Sequence, residues 1–301
     1  MKKEILGLNI IWYLIVLLLA FIGILFGSFF DLSISRSIVD TSSSFGAFIE
    51  TLGFLFSFVM IPLGSVMIYK GLIDEKRKPL KFLGYFILLL GFLLGCYYCF
   101  DHIRITSVDK NYGIRLPIGA AIPISILFNL IFTILFLFEI KKDEKEYLLR
   151  AGITILSVIL IQSLLVSIIK SVNCRPRYRY LIDENLNIKN EVFRPWWQFS
   201  PYSFKDDYHK SWPSGHTANS AVMLLLPLLS PVLRHPFKYS RVVLFLVGLS
   251  YSILVAFFRI YYGAHYLSDV SFGLLFTTLV ILLVLFIENS IYRKKNEKTQ
   301  E

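Results

Sequence analysis

Residues 8–30 read LNIIWYLIVLLLAFIGILFGSFF, a run without a single charged side chain. A helix rises about 1.5 Å per residue and the hydrocarbon core of a bilayer is about 30 Å thick, so roughly 20 such residues cross it. Met1-Lys2-Lys3 in front of the run resembles the start of a secretion signal. The run is too long for one, however, and no A-x-A-like site follows, so it reads as an uncleaved first span. Seven more stretches qualify by length and apolarity: 45–69, 80–100, 117–139, 149–172, 214–233, 242–262 and 266–288. In the fourth span, Pro117 suits a helix start and Pro123 a kink. The longest polar stretch, residues 171–212, is too short and irregular to fold alone. The expected fold class is all-α, a polytopic membrane helix bundle of about eight transmembrane helices.

Composition agrees. Of 301 residues, 55% are hydrophobic and 17% charged, with mean hydropathy +0.63; a soluble domain carries about 25% charged residues. The net charge of +10 does not call for nucleic acid, because cytoplasmic loops collect Lys and Arg for topological reasons. With a cytoplasmic N-terminus, 18 of the 31 Lys and Arg fall inside. Eight of the 13 outside crowd between Lys170 and Lys210. Without that segment the bias is 18 to five, which places both termini in the cytoplasm of a cell-membrane protein. The Cys96-x-x-Cys99 pair sits in an apolar helix without the soluble βαβ context of a redox motif, so packing is expected. Cys174 is incidental. Trp196 and Trp197 read as an interfacial aromatic belt.

Three polar clusters lie at the outer ends of consecutive spans. The first closes the fifth: Lys170, then Arg175, Arg177 and Arg179. A lone Lys there would merely snorkel, but this much positive charge suits a phosphate dianion. The second opens the sixth: Pro213-Ser214-Gly215-His216. Ser214 and Gly215 offer a hydroxyl and an unobstructed amide where a helix N-terminus attracts an anion, and His216 can give or take a proton beside it. The third joins the seventh and eighth: Arg259, His265 and Asp269, with Gly263 available for the turn. His265 and Asp269, four apart, share a helix face. A carboxylate beside an imidazole fixes its tautomer and leaves the far nitrogen free to attack. A guanidinium at 259 can grip phosphate oxygens in pairs.

Together these clusters resemble the signature of the type-2 phosphatidic acid phosphatase superfamily, membrane lipid phosphatase branch: K-x6-R-P, then P-S-G-H, then S-R-x5-H-x3-D. Lys170 and Arg177 match the first element, with Tyr178 in place of its proline. Pro213, Ser214, Gly215 and His216 match the second in full. Arg259, His265 and Asp269 match the third, with Phe258 in place of its serine. The resemblance covers the last four helices and implies a phosphatase-type core at 141–301 with an outer loop at 171–212. Residues 1–140 would then form N-terminal transmembrane helices, two more than common six-helix members place before the lysine.

The resemblance further implies that His265 attacks phosphorus, Asp269 orients it, and His216 protonates the leaving oxygen. Lys170, Arg177, Ser214, the Gly215 amide and Arg259 would hold the phosphoryl oxygens. No metal or other cofactor is expected, since basic groups carry the charge stabilisation that dominates phosphoryl transfer. A site at headgroup depth suits an amphiphilic lipid phosphate drawn from the membrane lipids. Phosphatidic acid, phosphatidylglycerol phosphate, a polyprenyl diphosphate and a glycolipid phosphate all fit. Two rival functions exist: a phosphotransferase using the same phosphohistidine, and a lipid-phosphate transporter, whose site should lie near mid-bilayer. Oligomeric state is not encoded legibly.

Overall fold

The computed structural model describes residues 4–73, 76–109, 114, 116–183, 192–199 and 207–300. Of the outer loop, residues 184–191 and 200–206 lie outside the described residues. A short hairpin pairs Glu4–Ile5 (β1) with Leu8–Asn9 (β2), and Asn9 then caps the first helix by accepting from the Ile11 amide at 3.0 Å. The helices are α1 Ile10–Ile38, α2 Ser44–Thr51, α3 Met60–Leu72, α4 Lys78–Arg104 and α5 Ile118–Glu139. They continue as α6 Lys145–Asn173, α7 Tyr178–Leu181, α8 Gly215–Ala221, α9 Ser240–Tyr261 and α10 Leu267–Gln300. Tighter 3-10 turns over Gly53–Val59 join α2 to α3, and others over Val222–Val232 extend α8.

Among the described residues, seven helical segments are long and apolar enough to cross a membrane, with α2 through α3 counted as one. The chain is a multi-pass membrane protein. Its outer helices turn large apolar side chains such as Phe21, Phe29, Phe82 and Phe86 outward, as a lipid solvent requires. The expected span at 214–233 is helical but is not one of these seven: α8 tightens into 3-10 turns after about two turns. Pro227 and Pro231 explain the change, since neither has an N–H to give to the α-helical ladder. The 3-10 rise of about 2.0 Å per residue stretches this segment to roughly 32 Å, enough to cross. Pro123, by contrast, is accommodated inside α5.

The α2–α3 segment is the interior of the bundle. Its apolar window is 83% buried, against 28% for α1 and 22% for α4, so polar side chains on it face protein rather than lipid. Successive spans alternate in direction. The C-terminal ends of α1, α4, α6 and α9 therefore meet the N-terminal ends of α2, α8 and α10 at one end of the bundle. At the opposite end the backbone is stitched across the loops, with Lys141 N–H donating to Val232 O and Arg234 N–H to Glu139 O, both at 2.7 Å.

Two glycines let helices touch at the first of these ends. A Cβ on Gly273 would lie 2.5 Å from the Ser214 carbonyl oxygen, so only glycine lets α10 seat against the start of α8. A Cβ on Gly27 would lie 2.5 Å from the Ser268 amide nitrogen, and its absence brings α1, with Asp31, onto the start of α10. The three cysteines form no disulfide; Cys99 is buried and accepts from Asn129 Nδ2 at 3.3 Å, a packing role. Trp196 packs inward. It stacks on Trp212 at 6.1 Å and donates to Ser28 Oγ at 3.0 Å, leaving Trp197 as the exposed member.

Candidate active site

The three clusters converge. Ser214 caps α8: its hydroxyl oxygen accepts from the Thr217 amide at 3.3 Å and from the Thr217 hydroxyl at 3.0 Å, which leaves its own proton to donate elsewhere. The Ser214 amide is fixed in turn on the Asp269 carbonyl at 2.9 Å, so the start of α8 is docked on the start of α10. Lys170, half-buried near the end of α6, donates to the Lys210 carbonyl at 3.2 Å. Its Nζ lies 3.5 Å from where a Cβ on Gly215 would stand. A glycine there keeps open the space between the ammonium and the helix start. Arg177 is buried, its amide held on Tyr208 O at 2.9 Å.

The turn from α9 to α10 places the third cluster. Gly263, at φ +63°, reverses the chain, and the amides of Ala264 and His265 both return to the Arg259 carbonyl at 3.1 and 3.0 Å. His265 is fully buried. Its Nδ1 donates to the Ser211 carbonyl at 2.5 Å, while its Nε2 has no partner among the described residues. The Nδ1–H tautomer is therefore imposed, and the lone pair sits on Nε2. Burial, followed by the positive charges of Arg259, Arg177 and Lys170, pushes the imidazole well below its ordinary value, so it is neutral at pH 7. His216 faces it with ring centroids 6.5 Å apart, and its Nε2 also lacks a partner among the described residues.

Asp269 stands differently from the simple tautomer-fixing contact expected. Its carboxylate is 3.8 Å from His265 Nδ1. It accepts instead from the Ser211 hydroxyl at 2.5 Å and the Tyr266 amide at 2.9 Å, and it pairs with Arg175 at 2.5 Å. Ser211 thus links the two, with its hydroxyl on Asp269 and its carbonyl on His265.

The expected role of Arg175 as one of several phosphate-facing cations is overturned. Its guanidinium is fully buried between Asp269 and Asp31, 2.9 Å from the latter. Its Nε is spent on the Arg194 carbonyl at 2.7 Å. Arg179 is likewise turned to a carboxylate, 3.8 Å from Glu50. Arg259 also pairs with Glu50, through Nη1, but its Nε and Nη2 have no partner among the described residues.

Sequence reasoning missed three participants, all from the N-terminal helices: Asp31 on α1, Glu50 on α2 and His102 on α4. His102 donates from Nε2 to the Glu50 carbonyl at 2.8 Å and meets His216 edge-on at 5.4 Å. Phe54 covers the His216 ring at 4.1 Å. A signal existed for Glu50, an ionisable side chain inside the apolar stretch 45–69 and so a functional candidate by default, whereas Asp31 and His102 fall just past the ends of the stretches 8–30 and 80–100.

The fold and this centre define a multi-pass membrane protein in which two imidazoles, His216 and His265, lie 6.5 Å apart within reach of the charges of Arg259, Arg177 and Lys170. Residues 151–292 match the family model of the PAP2 superfamily. The match contains Lys170, Arg177, Ser214, Gly215, His216, Arg259, His265 and Asp269, whereas Asp31, Glu50 and His102 precede it. No curated protein and no solved structure matches the chain. This match and the apolar helices support a phosphatase-type function.

Proposed function

We propose that this protein hydrolyses a lipid-linked phosphate monoester or diphosphate through a phosphohistidine, with 141–301 as its catalytic core. The observation that carries the reading is a set of buried polar atoms left without partners. His265 Nε2, His216 Nε2 and the Nε and Nη2 of Arg259 are bare among the described residues, and the positive charges of Arg259, Arg177 and Lys170 reach the His265 ring. Buried polar atoms are normally satisfied, and orphans clustered beside positive charge call for an anionic ligand.

In the first half-reaction, the His265 Nε2 lone pair forms a bond to phosphorus as the bond from phosphorus to the alkoxy oxygen breaks. His216 delivers its proton to that oxygen. In the second, His216 takes a proton from water, whose oxygen attacks phosphorus and releases His265. Lys170, Arg177, Ser214, the Gly215 amide and Arg259 hold the phosphoryl oxygens, which carry the charge of the transition state. Asp269, acting through Ser211 and at 3.8 Å, offsets the positive charge that His265 acquires. A site at helix ends rather than at mid-bilayer speaks for an enzyme over a transporter.

Phosphate release by purified protein from a panel of lipid phosphates tests the function: free phosphate is expected, and a phosphorylated acceptor in its place would indicate transfer. Activity should survive EDTA and be blocked by vanadate, a trigonal-bipyramidal mimic of the transition state. Strict dependence on added Mg²⁺ after EDTA would contradict the assignment of charge stabilisation to the basic side chains.

The charge bias across the loops supports cytoplasmic termini and an extracytoplasmic site. In a protein with its three cysteines replaced, Ile182→Cys, at an exposed position, should react with an impermeant thiol reagent on intact cells. Lys142→Cys should react only after permeabilisation. The reverse pattern would invert the orientation.

A further inference from the structure

Arg259 is held from outside the segment that matches the family model. Glu50, near the C-terminal end of α2 and 7% exposed, pairs through Oε2 with Arg259 Nη1, while its Oε1 lies 3.8 Å from Arg179 Nη1. The Glu50 carbonyl accepts from His102 Nε2 at 2.8 Å, which ties this turn of α2 to α4. Glu50 also lines the same small void as Arg259 and His216, so its carboxylate belongs to the site itself.

By charge alone that carboxylate is out of place. Like charges repel more strongly in a buried site than in water, and a carboxylate beside a phosphate pocket weakens its hold on the anion. What Glu50 offers is geometry. In a guanidinium, Nε–H and one N–H of Nη2 lie parallel along one edge, and such a pair grips two oxygens of a phosphate together. Nη1 lies off that edge. Glu50 takes Nη1 and leaves Nε and Nη2, both buried and without a partner among the described residues. The edge suited to a phosphate is the one left over. Of the three cations whose charge reaches the His265 ring, Arg259 acts most strongly.

We infer that Glu50 is a positioning residue for phosphoryl transfer: by anchoring Nη1 it holds the Nε–Nη2 edge of Arg259 towards the phosphoryl group at His265. The inference rests on the phosphatase reading and adds to it a residue that precedes the 151–292 match. The transition state spreads charge over three equatorial oxygens in a fixed geometry. A fixed edge therefore helps the chemical step and the binding of its mimics, whereas a rotated guanidinium still attracts the ground-state anion.

The test compares two variants of the full-length protein. Glu50→Asp keeps the charge but withdraws the oxygen by one methylene; Glu50→Gln keeps the length and an oxygen but removes the charge. Each is assayed on p-nitrophenyl phosphate, and the inhibition constant for vanadate is read alongside, because that affinity does not depend on the folded fraction of a preparation. A misplacement of about 1 Å can cost about 10²-fold. Glu50→Asp should lower kcat and raise the vanadate constant about ten- to a hundredfold, with KM changed much less. Glu50→Gln should lose clearly less on both. In an Arg259→Ala background, Glu50→Asp should raise the vanadate constant no further. The inference is overturned if Glu50→Asp matches the wild type, or if Glu50→Gln loses more than Glu50→Asp, which would make Glu50 a counterion only. It is equally overturned if Glu50→Asp costs as much without Arg259 as with it. A wild type that neither hydrolyses p-nitrophenyl phosphate nor binds vanadate would remove the phosphatase reading, and this inference with it.

Discussion

Replacing His265 with alanine should reduce phosphate release to the uncatalysed background, whatever the leaving group. His265 is an imidazole held by a backbone carbonyl with its far nitrogen bare among the described residues. Burial among cations keeps the ring neutral, so a lone pair is always presented. His216→Ala should behave differently. Loss of general acid–base help costs about 10²- to 10⁴-fold, and the cost depends on how badly the leaving oxygen needs a proton. An alkyl lipid phosphate should suffer the full loss in the first step, and p-nitrophenyl phosphate much less. Equal losses for both substrates in His216→Ala would remove it from the role of acid. Measurable turnover in His265→Ala, well above background, would remove that residue from the role of nucleophile.

The second large effect concerns stability. Arg175 is the one cation between two carboxylates, Asp31 at 2% exposure and Asp269 at 0%. Truncating one partner of a buried ionic cluster leaves uncompensated charge and costs about 3–5 kcal/mol. Arg175→Ala should therefore lower the thermal midpoint of the detergent-solubilised protein sharply, or prevent its isolation. Arg150 offers a comparison at the other end of the bundle. It pairs with Glu288 where the side chains keep 21% and 14% exposure, and it lies 3.5 Å over the Tyr292 ring. A partly hydrated pair of that sort contributes about 1 kcal/mol or less, so Arg150→Ala should cost much less. Equal midpoints for the two variants would show that Arg175 is not the buried keystone of the site.

These cases mark where sequence reading reached and where it stopped. The spans were legible because a lipid environment demands about twenty consecutive apolar residues, and a run such as 8–30 can satisfy nothing else. The catalytic candidates were legible because their spacing is local: Ser214 with His216, and His265 with Asp269, sit within a turn or two of one another. Their partners were not, because pairing across helices leaves no spacing behind. Asp31 lies 144 positions from Arg175, and Glu50 lies 209 from Arg259. Arg175 and Arg177 look alike in sequence, yet Arg175 is closed between carboxylates that α1 and α10 supply, α1 being brought onto α10 at Gly27. The internal break of the sixth span was foreshadowed by Pro227 and Pro231, but the 3-10 form that absorbs them depends on packing against α9. The N-terminal helices are thus more than an appendage to the segment that matches the PAP2 family model. They supply Asp31, Glu50 and His102 to its centre, and removing them would strip Arg175 and Arg259 of buried carboxylates.

The most direct measurement is rapid-quench labelling with a ³²P-labelled substrate, followed by identification of the modified side chain. The expected result is acid-labile phosphohistidine at residue 265 in the wild type, or accumulating in His216→Ala where the water lacks its base, and no label in His265→Ala. Label that persisted in His265→Ala and vanished in His216→Ala would contradict the assignment and exchange the roles of the two histidines.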